Sequence, residues 1–520
     1  MCGINGFNFK DTVLIKKMLA ITSSRGPDYE EFLEKDDFTV GHNRLSIIDP
    51  NPRSNQPYIY KHYILSFNGE IYNYRELKKN LILQGYEFET ESDTEVIIKL
   101  FDKKGIHSFS QLSGIFSISI YDSKKKKLYL ARDIVGVKPL YYYHNNKTKK
   151  FIFSSLIKSI LISLEKKNLN FDSIISYSNF NRNDYRETFF KDIYKVLPGE
   201  LIEFSNGNYK RSKILKFKFE KKDKNLISDI SESFSNQFIS DVPLALSLSG
   251  GVDSNIILNE LMKNKGINFQ NYSVTFQDYK KYQKDHDIAK KISNFYGIKF
   301  NSVEVSSKDF KDCAEKIVDI VEEPTGNTNS IANYILSKNV TEKVLISGDG
   351  GDEVFTGYDR YKSIYFLSLF IKLNPFKENY FGFKNKKLNR LFLGNSRSLY
   401  LSFSEQNLFK NAFKVYKNFK NLKIYDLDKI LNHSLKIKND PNLSNVMYHD
   451  LDTWVPNDIL NRNDKIYGDK GIEVRVPFLD KKIIENNLMV GSFKKYGFLF
   501  RSKNLLLKNY KQVSKLTEKK

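Results

Sequence analysis

Four short segments, together with the single residues Arg44 and Asp93, hold residue types with chemistry of their own. Cys2 is the first, because loss of the initiator methionine would leave a thiol and a free α-amine on one residue. An α-amine titrates at about 7.7–8.0, so it can take the thiol proton without help from a histidine. Asn68 and Gly69 offer a side-chain amide and an unhindered backbone N–H, the donors that a tetrahedral oxyanion requires. By periodicity alone the same pair reads as a strand end with an Asn-Gly turn. Arg44 has the planar fork that clamps a carboxylate. Asp93, between Ser92 and Thr94, reads as a helix start whose carboxylate can also hold an ammonium.

The third segment is Leu248-Ser249-Gly250-Gly251-Val252-Asp253-Ser254, after an apolar run and before a helical one. Its glycines let the backbone approach an anion, and a helix N-terminus with serine hydroxyls can hold pyrophosphate oxygens. No Gly-Lys-Ser/Thr is present, which excludes a kinase-type P-loop. Asp253 supplies a carboxylate suited to a magnesium ion bridged to phosphates. The fourth segment, Ser347-Gly348-Asp349-Gly350-Gly351-Asp352-Glu353, also follows a strand-like run. In a doubly wound sheet both loops reach one nucleotide, so Asp253 and Asp352 can share the metal. An EF-hand would need alternating oxygen ligands and a closing glutamate that are missing here.

The elements around these segments differ between the two parts of the chain. Residues 1–215 alternate short β-like runs, at 62–67, 114–121, 127–131, 140–143 and 151–154, with amphipathic helices near 75–83 and 93–101. That predicts an α+β domain of stacked sheets flanked by helices. Over 216–520 the pattern shifts to strands between longer helices, beginning with a helix near 226–238 and a strand near 243–248, which predicts a parallel, doubly wound α/β domain with a helical C-terminal part.

A length of 520 residues fits two such domains. The net charge of +22 would suit nucleic acid or an anionic membrane, but the lysines are scattered and the run Lys124 to Lys127 falls in a hairpin turn. We therefore expect no nucleic-acid partner. Two cysteines, Cys2 and Cys313, exclude a disulfide framework and a Cys-rich zinc site and point to the cytoplasm. No apolar run is long enough to span a membrane, and the start has neither signal-peptide nor anchor character. A homodimer is the oligomeric expectation.

Taken together, Cys-Gly-Ile at 2–4, Arg-Gly-Pro-Asp at 25–28, Arg-Leu-Ser-Ile at 44–47, Asn-Gly-Glu-Ile-Tyr-Asn at 68–73, Ser-Asp-Thr-Glu at 92–95 and Arg-Asp at 132–133 resemble the N-terminal-nucleophile glutaminase domain of class II glutamine amidotransferases. The Ser-Gly-Gly-Val-Asp-Ser loop, with Glu322-Glu323-Pro324, Asn463-Asp464-Lys465 and the run 471–480, resembles the ATP-pyrophosphatase domain of the asparagine synthetase family. The resemblance implies that Cys2 is the nucleophile and that Asn68 with Gly69 forms the oxyanion hole. It gives Arg44, Leu45, Ile47, Asn68, Gly69, Glu70 and Asp93 to glutamine, and Leu248 to Ser254, Val274, Ser347 and Gly348 to ATP. Asp253 and Asp352 go to magnesium, and Asp349 is placed to deprotonate the incoming nitrogen. Glutamine and aspartate, or another carboxylate, are the implied substrates. Rival readings are the same machinery acting on a different carboxylate in surface-sugar or secondary metabolism, and a silent binding protein on the same fold.

Three departures stand out. Ser24 stands where the family commonly has histidine, and Leu156 where it has glutamate, so both fall on the coupling between sites. Near Lys519 and Lys520 the family usually carries a segment that delivers a lysine to the adenylate.

Overall fold

The computed structural model describes every residue except 184–185, 221–225, 265, 279, 374–440, 498–500 and 518–520. Lys519, Lys520 and most of the motif-free stretch 366–446 therefore lie outside the described residues. The ends of that stretch belong to the helices Asp359–Leu373 and Pro441–Asp452.

The first two sheets have six strands each and are antiparallel throughout. One runs in the order Ile193–Lys195, Tyr141–His144, Phe151–Ser154, Gly3–Phe7, Phe38–Arg44, Tyr29–Lys35. The other runs Asn208–Lys213, Glu200–Ser205, Lys127–Arg132, Gly114–Asp122, Tyr63–Ile71, Tyr58–Tyr60. Ile4, Val40 and Phe153 of the first sheet pack against Ile64, Leu130 and Ile202 of the second, so the two stack across one apolar core. The expected helices form as Tyr74–Ile82 and Asp93–Lys104, the second capped by Ser92, whose side chain accepts from the Thr94 N–H.

One local reading is corrected. Asn68 and Gly69 make no turn; the strand Tyr63–Ile71 runs through them, with Asn68 opposite Ser117 and Gly69 opposite Phe116. Gly69 adopts φ +144°, and a Cβ there would overlap the Ile115 carbonyl oxygen. The glycine thus serves close strand approach, and tertiary pairing overrides the turn preference of an Asn-Gly dipeptide.

The third sheet is parallel, in the order Phe300–Val305, Phe269–Phe276, Leu244–Ser247, Val344–Ile346, Glu473–Arg475. Its central strands are buried apolar runs, as a sheet covered on both faces requires. From Leu244–Ser247 the chain builds outward on one side and then returns to build on the other. The loops after Leu244–Ser247 and Val344–Ile346 therefore flank the topological switch point, where ligands gather in open α/β sheets. Beyond Glu473–Arg475 the described chain is helical, apart from short connections. Among the described residues no helix is long and apolar enough to cross a membrane.

Candidate functional site

Cys2 lies one residue before the strand Gly3–Phe7, buried against the strand Tyr63–Ile71. Its backbone nitrogen donates to Asn68 Oδ1 at 2.9 Å, and its Sγ accepts from the Leu45 N–H at 3.4 Å. Burial pushes the Cys2 thiol up, opposed by the chain's amino group nearby. With Met1 in place that amino group belongs to Met1, and burial lowers it to about 5. Asn68 is fully buried, and its Nδ2 has no hydrogen-bond partner. An orphaned buried amide costs the fold free energy, so a donor beside the thiol is kept unspent.

Arg44 is placed differently from a simple clamp. Its Nη1 donates to Asn51 O and Asn55 Oδ1, and its Nη2 to Ile48 O and Asp49 O, at 2.7–3.3 Å. The guanidinium therefore moulds the loop that carries Leu45 and Ile47, and among the described residues Nε alone has no hydrogen-bond partner. Asp93 begins its helix and accepts from the Ile71 N–H at 2.9 Å; burial raises its carboxyl to about 6. Glu70 points toward the second half of the chain, with Oε1 3.5 Å from Arg475 Nη2. Burial raises its pKa, with Glu473 adding to the effect.

The second cluster lies at the switch point. The Ser249 N–H donates to Ser254 Oγ at 3.0 Å, the Gly251 N–H donates to Ser249 Oγ at 3.1 Å, and Val252–Lys263 follows as a helix. Gly351 of the opposite loop approaches so closely that a Cβ would overlap the Asp253 carboxylate. A cavity of about 270 Å³ brings together Leu248, Ser249, Val274, Ser347 and Asp349 with Arg462. Gly250, Gly251, Val252, Asp253, Ser254 and Gly348 adjoin it in the chain but are not among its lining residues. Asp349 accepts from Ser347 Oγ and Asn463 Nδ2, both at 2.7 Å, and burial raises its pKa.

Asp253 and Asp352 converge, as two ligands of one cation would. The cation between them is Lys503, with Nζ 2.6 Å from Asp253 Oδ2 and 2.5 Å from Asp352 Oδ1. Among the described residues no group of three or more His, Cys, Asp or Glu side chains forms a metal cage. The two converging carboxylates suit magnesium, which takes one or two carboxylates together with phosphates and water. The donor set thus suits the ion once the ammonium yields its place.

Buried charges join the two clusters. Arg25 donates to Cys2 O at 3.1 Å and pairs with Asp464 at 2.8 Å. Glu473 lies 3.2 Å from Lys138 and 2.9 Å from Arg475; burial alone would raise its carboxyl, but these cations hold it at about 2. Arg475 O accepts from the Ser347 N–H at 2.9 Å, so one residue touches both Glu70 and the Asp349 loop. Glu322 accepts from the N–H groups of Ile157 and Lys158 and pairs with Lys465 at 2.9 Å. Sequence reasoning missed Arg462, Lys503 and the role of Glu322. Each acts on partners more than a hundred residues away or in a cavity, and no local spacing marks them.

A glutamine amidotransferase domain model matches residues 1–215, and an asparagine synthase model matches 226–492. The chain is 29% identical to asparagine synthetase [glutamine-hydrolyzing] 1 of Bacillus subtilis, over 93% of this chain and 80% of that protein. It is 31% identical to a putative asparagine synthetase [glutamine-hydrolyzing] 2 of Methanocaldococcus jannaschii, over 72% of this chain and 79% of that one. A Gibberella zeae protein named amidase chry2 is 28% identical, over 70% of this chain and 60% of its own length.

Proposed function

This chain belongs to the glutamine-hydrolysing asparagine synthetase family, ligases that take their amide nitrogen from glutamine and use ATP, and on that premise we propose that it makes asparagine from aspartate. The observation that carries the reading is one molecule holding both a thiol beside an unspent amide donor and a serine-glycine loop at a parallel-sheet switch point. Residues 1–215 would serve as the glutaminase and 216–520 as the ATP-using half.

After removal of Met1, the Cys2 amine takes the thiol proton and the thiolate attacks the glutamine side-chain amide. Asn68 Nδ2 and the Gly69 N–H receive the oxyanion, while Asp93 holds the substrate ammonium and Arg44, Leu45, Ile47 and Glu70 wall the pocket. The tetrahedral intermediate collapses to a thioester as the C–N bond breaks and ammonia leaves with the proton held by the Cys2 amine, and water then releases glutamate.

In the second half the aspartate side-chain carboxylate attacks the α-phosphorus of ATP and pyrophosphate leaves. Leu248, Ser249, Gly250, Gly251, Val252, Ser254, Val274, Ser347 and Gly348 bind the nucleotide. Asp253 and Asp352 would hold magnesium, which would supply charge neutralisation on the phosphates. Ammonia displaces AMP from the acyl-adenylate, and Asp349 takes the proton lost by nitrogen.

Release of glutamate, pyrophosphate and AMP with aspartate present, together with formation of asparagine, tests the whole scheme. Formation of ADP would refute the α-phosphorus attack. Glutamate without pyrophosphate would point to another carboxylate acceptor.

A further inference from the structure

Arg462 begins its argument as a misfit. It lies in the helix Asn461–Gly468, is only 4% exposed, and its Nε and Nη1 have no hydrogen-bond partner. The carboxylate paired with it, Asp458 Oδ1, stands 3.7 Å from Nη1, beyond good hydrogen-bond reach, while Asp458 Oδ2 accepts from Trp454 Nε1 at 3.0 Å. Removing a guanidinium from water without spending its N–H groups is costly. Such an arrangement is kept where a ligand completes it.

The surroundings say which ligand. Arg462 lines the cavity of about 270 Å³ with Ser249, Ser347, Asp349, Asn463 and Tyr467. Its back also lines a pocket of about 20 Å³ near Glu323 and Thr325, too small for more than water. The phosphate end of the site is marked elsewhere, by the start of the helix Val252–Lys263 and by Lys503 between Asp253 and Asp352. Arg462 instead neighbours Asp349 and Asn463, whose side chains are bonded to each other at 2.7 Å. The unspent Nε–H and Nη1–H lie on different edges of the guanidinium, and each edge is completed by Nη2 into a planar fork that matches a carboxylate bidentately.

We propose that Arg462 binds the acceptor carboxylate that is not activated, and so determines that the acceptor is a dicarboxylate. The assignment rests on the acceptor reading given above and names the residue that enforces it. An acceptor lacking the second carboxylate leaves the buried Nε–H and Nη1–H without hydrogen bonds, and a site built around such a group rejects it strongly.

The test uses the full chain with ammonium chloride as nitrogen source, so that the glutaminase is not involved. Pyrophosphate release is measured for wild type, Arg462→Gln and Arg462→Lys with aspartate and with β-alanine, which keeps one carboxylate and the amine. Thermal melting reports whether each variant folds, and the lysine variant preserves the charge if the glutamine variant does not. We expect kcat/KM for aspartate to fall by about 100-fold or more in both variants, because the fork is lost in each. The KM for ATP should stay within about 3-fold, and the preference for aspartate over β-alanine should collapse. An unchanged aspartate KM in a folded variant overturns the assignment alone. A rise confined to the ATP KM overturns it too, by giving the guanidinium to a phosphate. Wild type inert toward aspartate and every other dicarboxylate sinks the acceptor reading and this assignment together.

Discussion

Asn68→Ala isolates the part of the first site that the structure leaves open. Asn68 makes one hydrogen bond there, from the Cys2 nitrogen to Oδ1 at 2.9 Å, while Nδ2 has none. Loss of an oxyanion donor costs about 2.7–4 kcal/mol in the transition state. Loss of the bond that anchors Cys2 adds about 1 kcal/mol. Together these amount to roughly 4–5 kcal/mol, or about 10³-fold in the rate of glutamine hydrolysis. Stability should change little, because deleting the unsatisfied amide offsets much of the lost anchor. The assay is glutamate release from glutamine set beside asparagine formation from ammonium chloride in the same preparation. Glutamate release should fall by about three orders of magnitude while ammonia-dependent synthesis holds within about 2-fold. A loss under about 30-fold would refute the oxyanion role, since it is smaller than the donor term alone. Equal loss of both activities would refute the separation of the sites.

Cys2→Ala should abolish glutamine use and leave ammonia-dependent synthesis intact, measured as asparagine formed from each nitrogen source. Asp253→Asn removes one of the two carboxylates on Lys503 and should stop pyrophosphate release while glutaminase persists; undiminished pyrophosphate would reject its metal role. The Asp93 carboxyl is raised to about 6 by burial, so kcat/KM for glutamine should drop as pH falls through about 6 and the carboxylate that holds the ammonium is protonated. The sign for folding is opposite: with a folded pKa above the ordinary 3.8, Asp93 contributes most stability at low pH and loses it as pH rises toward about 6. Asp93→Asn should flatten both profiles, read by initial rates and by thermal melting across pH 4–8.

Much of the fold was legible because its signals are local. The helix Asp93–Lys104 announces itself through Ser92, and the strand Gly114–Asp122 through an apolar run ended by the Lys-rich turn before Lys127. Gly3–Phe7 and Phe38–Arg44 went unread because every residue in both is buried, which erases the alternation a half-exposed strand shows. The candidate site divides in the same way. Ser249 to Ser254 is contiguous, so a backbone cradle can be inferred from one window. Lys503 reaches Asp253 across 250 positions, and nothing near either residue marks the pairing.

Leu156 shows why a departure in one window does not translate directly into a missing interaction. Reading outward from Ser155, a leucine where the family resemblance leads one to expect glutamate suggests that a carboxylate is missing at the join between the two halves. The helix Ile157–Leu161 that follows indeed has no side-chain cap at Leu156. Its first N–H groups are nonetheless satisfied, because Glu322 from the second half accepts from Ile157 at 3.0 Å and from Lys158 at 2.7 Å. Lys465 then neutralises that carboxylate at 2.9 Å, inside the same helix that carries Arg462 and Asp464. The negative charge at this junction is thus supplied through space by a residue whose left-handed backbone, φ +63°, ends the helix Ser307–Val321 and turns the side chain toward the partner half. What is preserved is the electrostatic requirement of an unsatisfied helix start, and a chain can meet it from any position that the fold brings within hydrogen-bonding distance.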